Sequence, residues 1–192
     1  MSSVVQGSVL GPILFLIFIN DIDLAITGDD KEVYISKFAD DTKLGREVNV
    51  VDDSIKFQTA INNLVKWCKD WGMSLHPEKC VVLHFGYKNR QCDYFIDGLK
   101  IKTESVVRDL GVYISNDCDT SAHVEKISKK AHGVLAQIRR STVLRDRGTI
   151  TTLYKSFIRP LLETVTPAWN PHKQGDIKTL EKVQRCMGVA FV

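Results

Sequence analysis

Apolar residues crowd the start of the chain, alternate briefly, and then settle into helical spacing for most of its length. The first run, "VLGPILFLIFI" (Val9 to Ile19), is unbroken by charge and closes on Asn20-Asp21. Spanning a bilayer as a helix takes ~20 apolar residues, so this run is too short to cross one. No basic segment precedes it, so it does not have the form of a secretory leader either. The pattern predicts a buried helix, fed by a glycine-containing loop, with Pro12 in its first turn and Gly28 with Asp29-Asp30 as its stop. "EVYISKF" (Glu32 to Phe38) alternates as a strand, Asp40-Asp41 is the turn, and "TKLGREV" (Thr42 to Val48) returns as its hairpin partner. From Asp52 to Trp71, Phe57, Ile61, Leu64, Val65, Cys68 and Trp71 recur with helical period. Asp52 or Asp53 serves as N-cap and Gly72 as stop.

"CVVLHF" (Cys80 to Phe85) predicts a strand, and "YFIDGLKI" (Tyr94 to Ile101) a hairpin with a two-residue Asp97-Gly98 turn that suits strand twist. "VVRDLGVYI" (Val106 to Ile114) reads as one further strand. After Asp119 the period is helical throughout. Val124, Ile127, Ala131, Val134, Leu135 and Ile138 form one face, Ile150, Leu153, Tyr154, Phe157, Ile158 and Leu161 a second, and Asp176 to Cys186 a third helix. The fold class is therefore α+β. A mixed part covers residues 1–115 and an all-helical part covers 116–192, with no internal repeat and no low-complexity linker between them.

A chain of 192 residues, 44% hydrophobic, can bury a real core, either as one large domain or as two small ones. The five cysteines are odd in number and show no C-x-x-C spacing. That argues against a disulfide framework or zinc site and for reduced, mostly buried thiols in an intracellular protein. Charge is uneven: residues 1–60 hold 5 Lys/Arg against 10 Asp/Glu, and residues 121–160 hold 9 against 2. An acidic part that can collect metal and a basic part that can hold phosphate suit a nucleic-acid enzyme. A solvated basic helix face accounts for the second half of that pattern equally well.

Three short stretches carry candidate chemistry. Read alone, the paired carboxylates Asp40 and Asp41 are either turn formers, since Asp caps nearby backbone N–H groups, or ligands for a divalent cation. Gly7, in "QGSVLGP", permits close approach of backbone to a ligand. Lys79, in "LHPEKC", is presented just before a strand, where a lysine is ordinarily only solvated. His76 has no metal-ligating partner at a workable spacing and reads as structural.

Together these stretches resemble the reverse transcriptases of non-LTR retrotransposons of the jockey-like kind. "QGSVLGPILFLIFINDI" resembles their motif B, "FADDTKL" motif C, "LHPEKC" motif D, and "RDLGVYI" motif E, the primer grip. Downstream, "HVEKISKKAHGVLAQIRR" and "LYKSFIRPLLETVTPAWNP" resemble the thumb of the same elements. The likeness covers nearly the whole chain, and QGSVLGP followed by FADDTKL at this distance is a specific signal. It implies a partial polymerase palm over 1–115, an antiparallel sheet with helices, and a helical thumb-like region over 116–192.

The resemblance also implies residue roles. Asp40 and Asp41 would be catalytic carboxylates holding Mg²⁺ or Mn²⁺, with Asp40 the more direct ligand. Lys79 would protonate or neutralise the pyrophosphate leaving group. Gln6, Gly7, Ser8, Phe38 and Ala39 would lie against template and incoming nucleotide, and Leu110, Gly111 and Val112 in the primer grip. Lys126, Lys129, Lys130, Arg139 and Arg140 would meet nucleic-acid backbone. Substrates would be an RNA template, a DNA primer and deoxynucleoside triphosphates, with no membrane, in the nucleus or cytoplasm. Such paired-metal chemistry is mostly positioning and charge stabilisation. Departures are Val5 where Pro is frequent, Phe38 where Tyr is, and His76 where Asn is.

The family carries a further Asp in motif A, upstream of motif B, and Asp21 and Asp23 lack the strand context to replace it. The chain thus has the look of a C-terminal polymerase half, a truncated element copy with Met1 as its start, expected not to extend a primer alone. The alternative is a catalytically inactive nucleic-acid-binding remnant of a retroelement.

Overall fold

Phe15, Phe18 and Ile19 decide how the apolar N-terminal segment folds. Phe15 and Phe18 share one stripe of a short helix, α1 (Gly11–Phe18), whose first turn holds Pro12, and Ile19 is its C-cap residue. In a computed structural model of the chain, which describes residues 7–28, 30–143 and 146–189, that stripe meets a long helix, α3 (Val51–Asp70). The Phe18 ring lies edge-on to Trp67 and Trp71, with centroids 5.7 and 5.4 Å away. The intervening α2 (Ile22–Thr27) buries Ile22 and Ile26 against the same wall. The buried helix predicted for the first run is not what forms, because Ile13, Leu14, Leu16 and Ile17 remain exposed. A helix that is apolar all round needs cover on every side, and α3 covers one stripe.

Helix α3 begins at Val51 with Val50 as its cap residue, so neither Asp52 nor Asp53 is the N-cap. Asp53 instead sits in the first turn and its carboxylate accepts the backbone N–H groups of Asn49 and Val50, both at 2.9 Å. These bonds hold the Asp53 carboxyl below the usual carboxylate range. The far end stops as the sequence predicts: Gly72 N–H donates to Lys69 C=O and Met73 N–H to Cys68 C=O, a Schellman closure.

Two hairpins lean on α3. β1 (Tyr34–Phe38) and β2 (Asp41–Gly45) pair antiparallel and turn Ile35 and Leu44 inward. β4 (Phe95–Ile96) and β5 (Leu99–Lys100), which follow β3 (Val81–Leu83), form the second hairpin around Asp97-Gly98 as predicted. Gln58 of α3 docks it by a strand-like pair of bonds, accepting from Phe95 N–H (2.9 Å) and donating to Phe95 C=O (2.8 Å). Tyr94, Ile96 and Ile101 then close a core with Ile61 and Val65. β3 pairs with β6 (Lys102–Glu104), so the α+β fold carries its strands as two-stranded pairs.

The chain divides into two compact units, one of residues up to Val82 with Lys88–Thr103, the other of Leu83–Tyr87 with Glu104 onward. The predicted boundary at 115/116 therefore falls inside the second unit. The stretch read as one strand from Val106 to Ile114 is a hairpin, β7 (Val106–Asp109) and β8 (Val112–Ser115). It goes with the helices because Val112 packs on Val124, Ile127 and Trp169.

The second unit is otherwise helical. α4 (Ser121–Ser141) buries Ala131 and Leu135 against Ile150, Ile158, Leu162 and Val183. α5 (Arg147–Leu153) passes through a π-helical turn (Tyr154–Ile158) into α6 (Arg159–Glu163). Pro160 explains that widening: it has no N–H for the Ser156 carbonyl and its ring crowds it, and Arg159 N–H reaches back to Tyr154 C=O instead. α7 (Thr166–Trp169) and α8 (Gln174–Val189) complete the unit. Among the described residues no helix is long and apolar enough to cross a membrane. Cys68 is buried and Cys80, Cys92 and Cys186 are half-buried. Cys118 is exposed, against the expectation of mostly buried thiols. Burial pushes the Cys68 and Cys80 thiols up.

Candidate functional site

The β1–β2 register pairs Phe38 with Asp41, which leaves Ala39 and Asp40 as the two-residue turn. The predicted Asp40-Asp41 turn is therefore displaced by one residue, and Asp41 opens β2. Burial of Ile35 opposite Leu44 sets this register, since a one-residue slip would turn both outward. Ala39 has φ of +51°, a left-handed conformation that costs a non-glycine residue ~1–2 kcal/mol. The strain places two adjacent carboxylates at a hairpin tip, and strained backbone of this kind clusters at functional sites.

Both aspartates are exposed, and among the described residues neither side chain has a hydrogen-bond or ion-pair partner. The nearest lysine in sequence on β1 is committed elsewhere: Lys37 Nζ lies 2.9 Å from Asp23 Oδ1 and 3.3 Å from the Ile19 carbonyl. At the other end of the hairpin Arg46, whose side chain is 1% exposed, is clasped by Asp30 and by Glu32 at 2.6 Å, with Asp53 at 3.8 Å. Hydrogen bonds from Glu32 N–H and then Arg46 hold the Asp30 carboxyl low. The guanidinium thus ties β2 to α3, leaving the tip carboxylates uncompensated.

Two unpaired carboxylates are hard, acceptor-only ligands and fit a divalent cation such as Mg²⁺, which takes few protein ligands and completes its shell with water and phosphate. Among the described residues no group of three or more His, Cys, Asp or Glu side chains gathers to hold a metal. The hairpin therefore offers a two-carboxylate foothold.

Lys79 ends a 3₁₀ turn (Pro77–Lys79) closed by its own N–H to His76 C=O at 2.9 Å. Flanking Leu75 and Cys80 pack in the cluster that also takes Leu44 of β2. The lysine and the carboxylate hairpin thus stand on one apolar wall, and the Lys79 side chain is exposed. His76 is exposed too, and its carbonyl anchors the turn. Of the motif B loop, Gln6 lies outside the described residues. Gly7 has φ of +88° and faces open space, and Ser8 Oγ accepts Gly11 N–H at 3.1 Å at the foot of α1. Phe38, beside the turn, is 62% exposed.

In the second unit Leu110 and Gly111 form the β7–β8 turn, with φ of +44° and +92°. Both positive angles match a primed hairpin turn, and Leu at the first of these positions hid the turn from sequence reading. Leu110 is exposed and Val112 half-buried. On α4 all five predicted cations are exposed, but they are not equivalent. Lys129 pairs with Glu125 at 2.5 Å, Arg139 donates to the Cys186 carbonyl at 2.7 Å, and Arg140 Nε donates to Ala136 C=O at 3.3 Å. Lys126 lies 5.9 Å from the Tyr113 ring centre. Lys130 has no side-chain partner among the described residues.

Sequence reading passed over Arg46, Gln58 and His123. Only the last left a signal: His123 falls four residues before Ile127, on the buried stripe of α4.

The model of the family described as reverse transcriptase (RNA-dependent DNA polymerase) matches residues 2–114. Among curated proteins the chain is similar to the RNA-directed DNA polymerase from mobile element jockey of Drosophila melanogaster, 25% identical over 84% of this chain and 18% of that protein. It is similar also to the probable RNA-directed DNA polymerase from transposon BS of the same organism, 23% identical over 88% of this chain and 19% of the relative. The corresponding protein from transposon X-element is 22% identical over 95% of this chain and 21% of its own length. The chain spans about a fifth of the length of the curated relatives it matches. No solved structure matches it significantly.

Proposed function

The chain belongs to the reverse transcriptase (RNA-dependent DNA polymerase) family, and on that premise we propose that it carries the carboxylate hairpin of an RNA-directed DNA polymerase of a non-LTR mobile element. The observation that supports this best is the pair of unpartnered carboxylates, Asp40 and Asp41, at the tip of a hairpin whose turn holds Ala39 in a left-handed conformation. In this reading Asp40 and Asp41 hold Mg²⁺ or Mn²⁺. A bound ion there supplies charge stabilisation to the phosphoryl oxygens during nucleotidyl transfer. The protein's own share is positioning. The Gly7-Ser8 loop, Phe38 and Ala39 lie against template and incoming nucleotide. Lys79 offers a proton or positive charge to the departing pyrophosphate, and Leu110, Gly111 and Val112 steady the primer end. The cations of α4 hold backbone phosphate.

Two carboxylates under-coordinate a paired-metal centre, so in this reading primer extension requires a further ligand from polypeptide related to the upstream part of the polymerases. Correct positioning is worth ~7 kcal/mol or more in such chemistry. The test joins this chain to the region that precedes the matching segment in the jockey relative and measures primer extension on an RNA homopolymer. Mg²⁺-dependent extension by the fusion, abolished by Asp40→Ala and absent from the 192-residue chain, is the expected result. Extension by the fusion that survives Asp40→Ala would refute the assignment. Tight hybrid binding without extension in any form would favour a nucleic-acid-binding remnant instead.

A further inference from the structure

His123 is 3% exposed and takes no part in the chemistry proposed above. Its Nδ1 accepts the backbone N–H of Tyr113, in β8, at 3.1 Å. Its ring lies 4.5 Å from that of Trp169, in α7, whose indole N–H is itself fixed to Thr164 C=O at 2.8 Å. The other ring nitrogen, Nε2, is enclosed and has no hydrogen-bond partner among the described residues. An imidazole that accepts at Nδ1 is neutral and carries its proton on Nε2. Three features oppose a second proton. The ring is buried, it stands in the first turn of α4 where the helix dipole is positive, and Lys126 sits over the neighbouring Tyr113 ring. Protonation from solvent would put N–H against N–H at Tyr113 and remove the bond that ties β8 to α4.

We propose that His123 is a positioning residue that pins the Leu110-Gly111 hairpin to α4 only while its imidazole is neutral, so that acidification frees the hairpin. The meaning of this for a primer rests on the function proposed above; the clasp itself does not. The elements packed round His123 carry Arg108 and Asp109 on β7, Tyr113 on β8, and Glu125 and Lys126 on α4, with Lys129, Lys130, His132, Arg139 and Arg140 further along α4. Asp117 and Asp119 lie before α4, and His172, Lys173 and Asp176 lie around the start of α8. α7 contributes no ionisable group. The carboxylates of Asp117, Asp119 and Glu125 are held low by their partners, and a variant that lacks the His123 imidazole separates it from the imidazoles of His132 and His172. Burial lowers the His123 pKa, so the clasp is intact above its ordinary value and is lost as pH falls through the folded one.

The test is amide hydrogen exchange at Tyr113, read by NMR on the full chain without nucleic acid and expressed as a protection factor from pH 8 to 5. Protection should fall about tenfold, the worth of one buried hydrogen bond, with the midpoint of the His123 ring resonances. His123→Asn places an amide oxygen near the Nδ1 position and does not titrate, so it should keep protection flat with pH. Unchanged Tyr113 protection through the His123 titration would overturn the clasp, as would an equal loss in the Asn variant. Affinity for an RNA–DNA hybrid at pH 7.5 and 5.5 separates the two proposals. The native chain should weaken more on acidification than His123→Asn. An intact clasp with no such difference would overturn the primer-grip reading and leave the clasp standing.

Discussion

Lys130 is the cation of α4 on which the nucleic-acid reading can be tested with least interference. Its side chain is exposed and has no partner among the described residues, whereas Lys129, one position earlier, is paired with Glu125. Replacing Lys130 by Gln removes one charge and disturbs no contact that holds the helix in place. Each phosphate neutralised on a duplex contributes ~0.9 to the slope of log affinity against log salt. Loss of that contact should lower the slope by about 0.9 and weaken binding about eightfold at 0.1 M salt, ~1.2 kcal/mol. Lys129→Gln should change the slope by less than half as much, because its charge is already shared with a carboxylate. Fluorescence anisotropy of a labelled RNA–DNA hybrid titrated at several KCl concentrations measures both slopes, and circular dichroism melting checks that neither variant loses its fold. An unchanged slope in Lys130→Gln, or a larger change in Lys129→Gln, would refute the placement of nucleic-acid backbone along this stripe.

Asp41→Asn removes one of two adjacent, uncompensated carboxylates, so the melting temperature in chelator should rise and the further rise on adding Mn²⁺ should shrink. A lower melting temperature with an intact Mn²⁺ response would mark the pair as turn formers only. Gly133 is exposed in the interior of α4 and a methyl group there would meet nothing, so Gly133→Ala should stabilise the chain by about 1 kcal/mol in urea unfolding. No shift of the urea midpoint would show that α4 is not a regular helix at that point.

Much of this arrangement was legible in the residues themselves. Period alone located α3, the Asp97-Gly98 hairpin and the buried stripe of α4, because amphipathic spacing and turn chemistry act over a few residues. The paired aspartates, the lysine and the family likeness were equally visible, being local strings. Three things were not. The turn at the carboxylates is displaced by one residue because the facing pair Ile35 and Leu44, not the aspartates, sets the register, and that choice depends on what lies beneath them. The strand read from Val106 to Ile114 folds back on itself at Leu110 because Val112 finds a core on α4 and Trp169, which repays a left-handed leucine. The place of His123 on the buried stripe of α4 is visible in the period, but only packing brings its ring nitrogen to the Tyr113 N–H, which needs an acceptor once it is turned away from water. Local sequence sets which elements can form. Their pairing, and so the geometry of the candidate site, depends on burial shared by residues far apart in the chain.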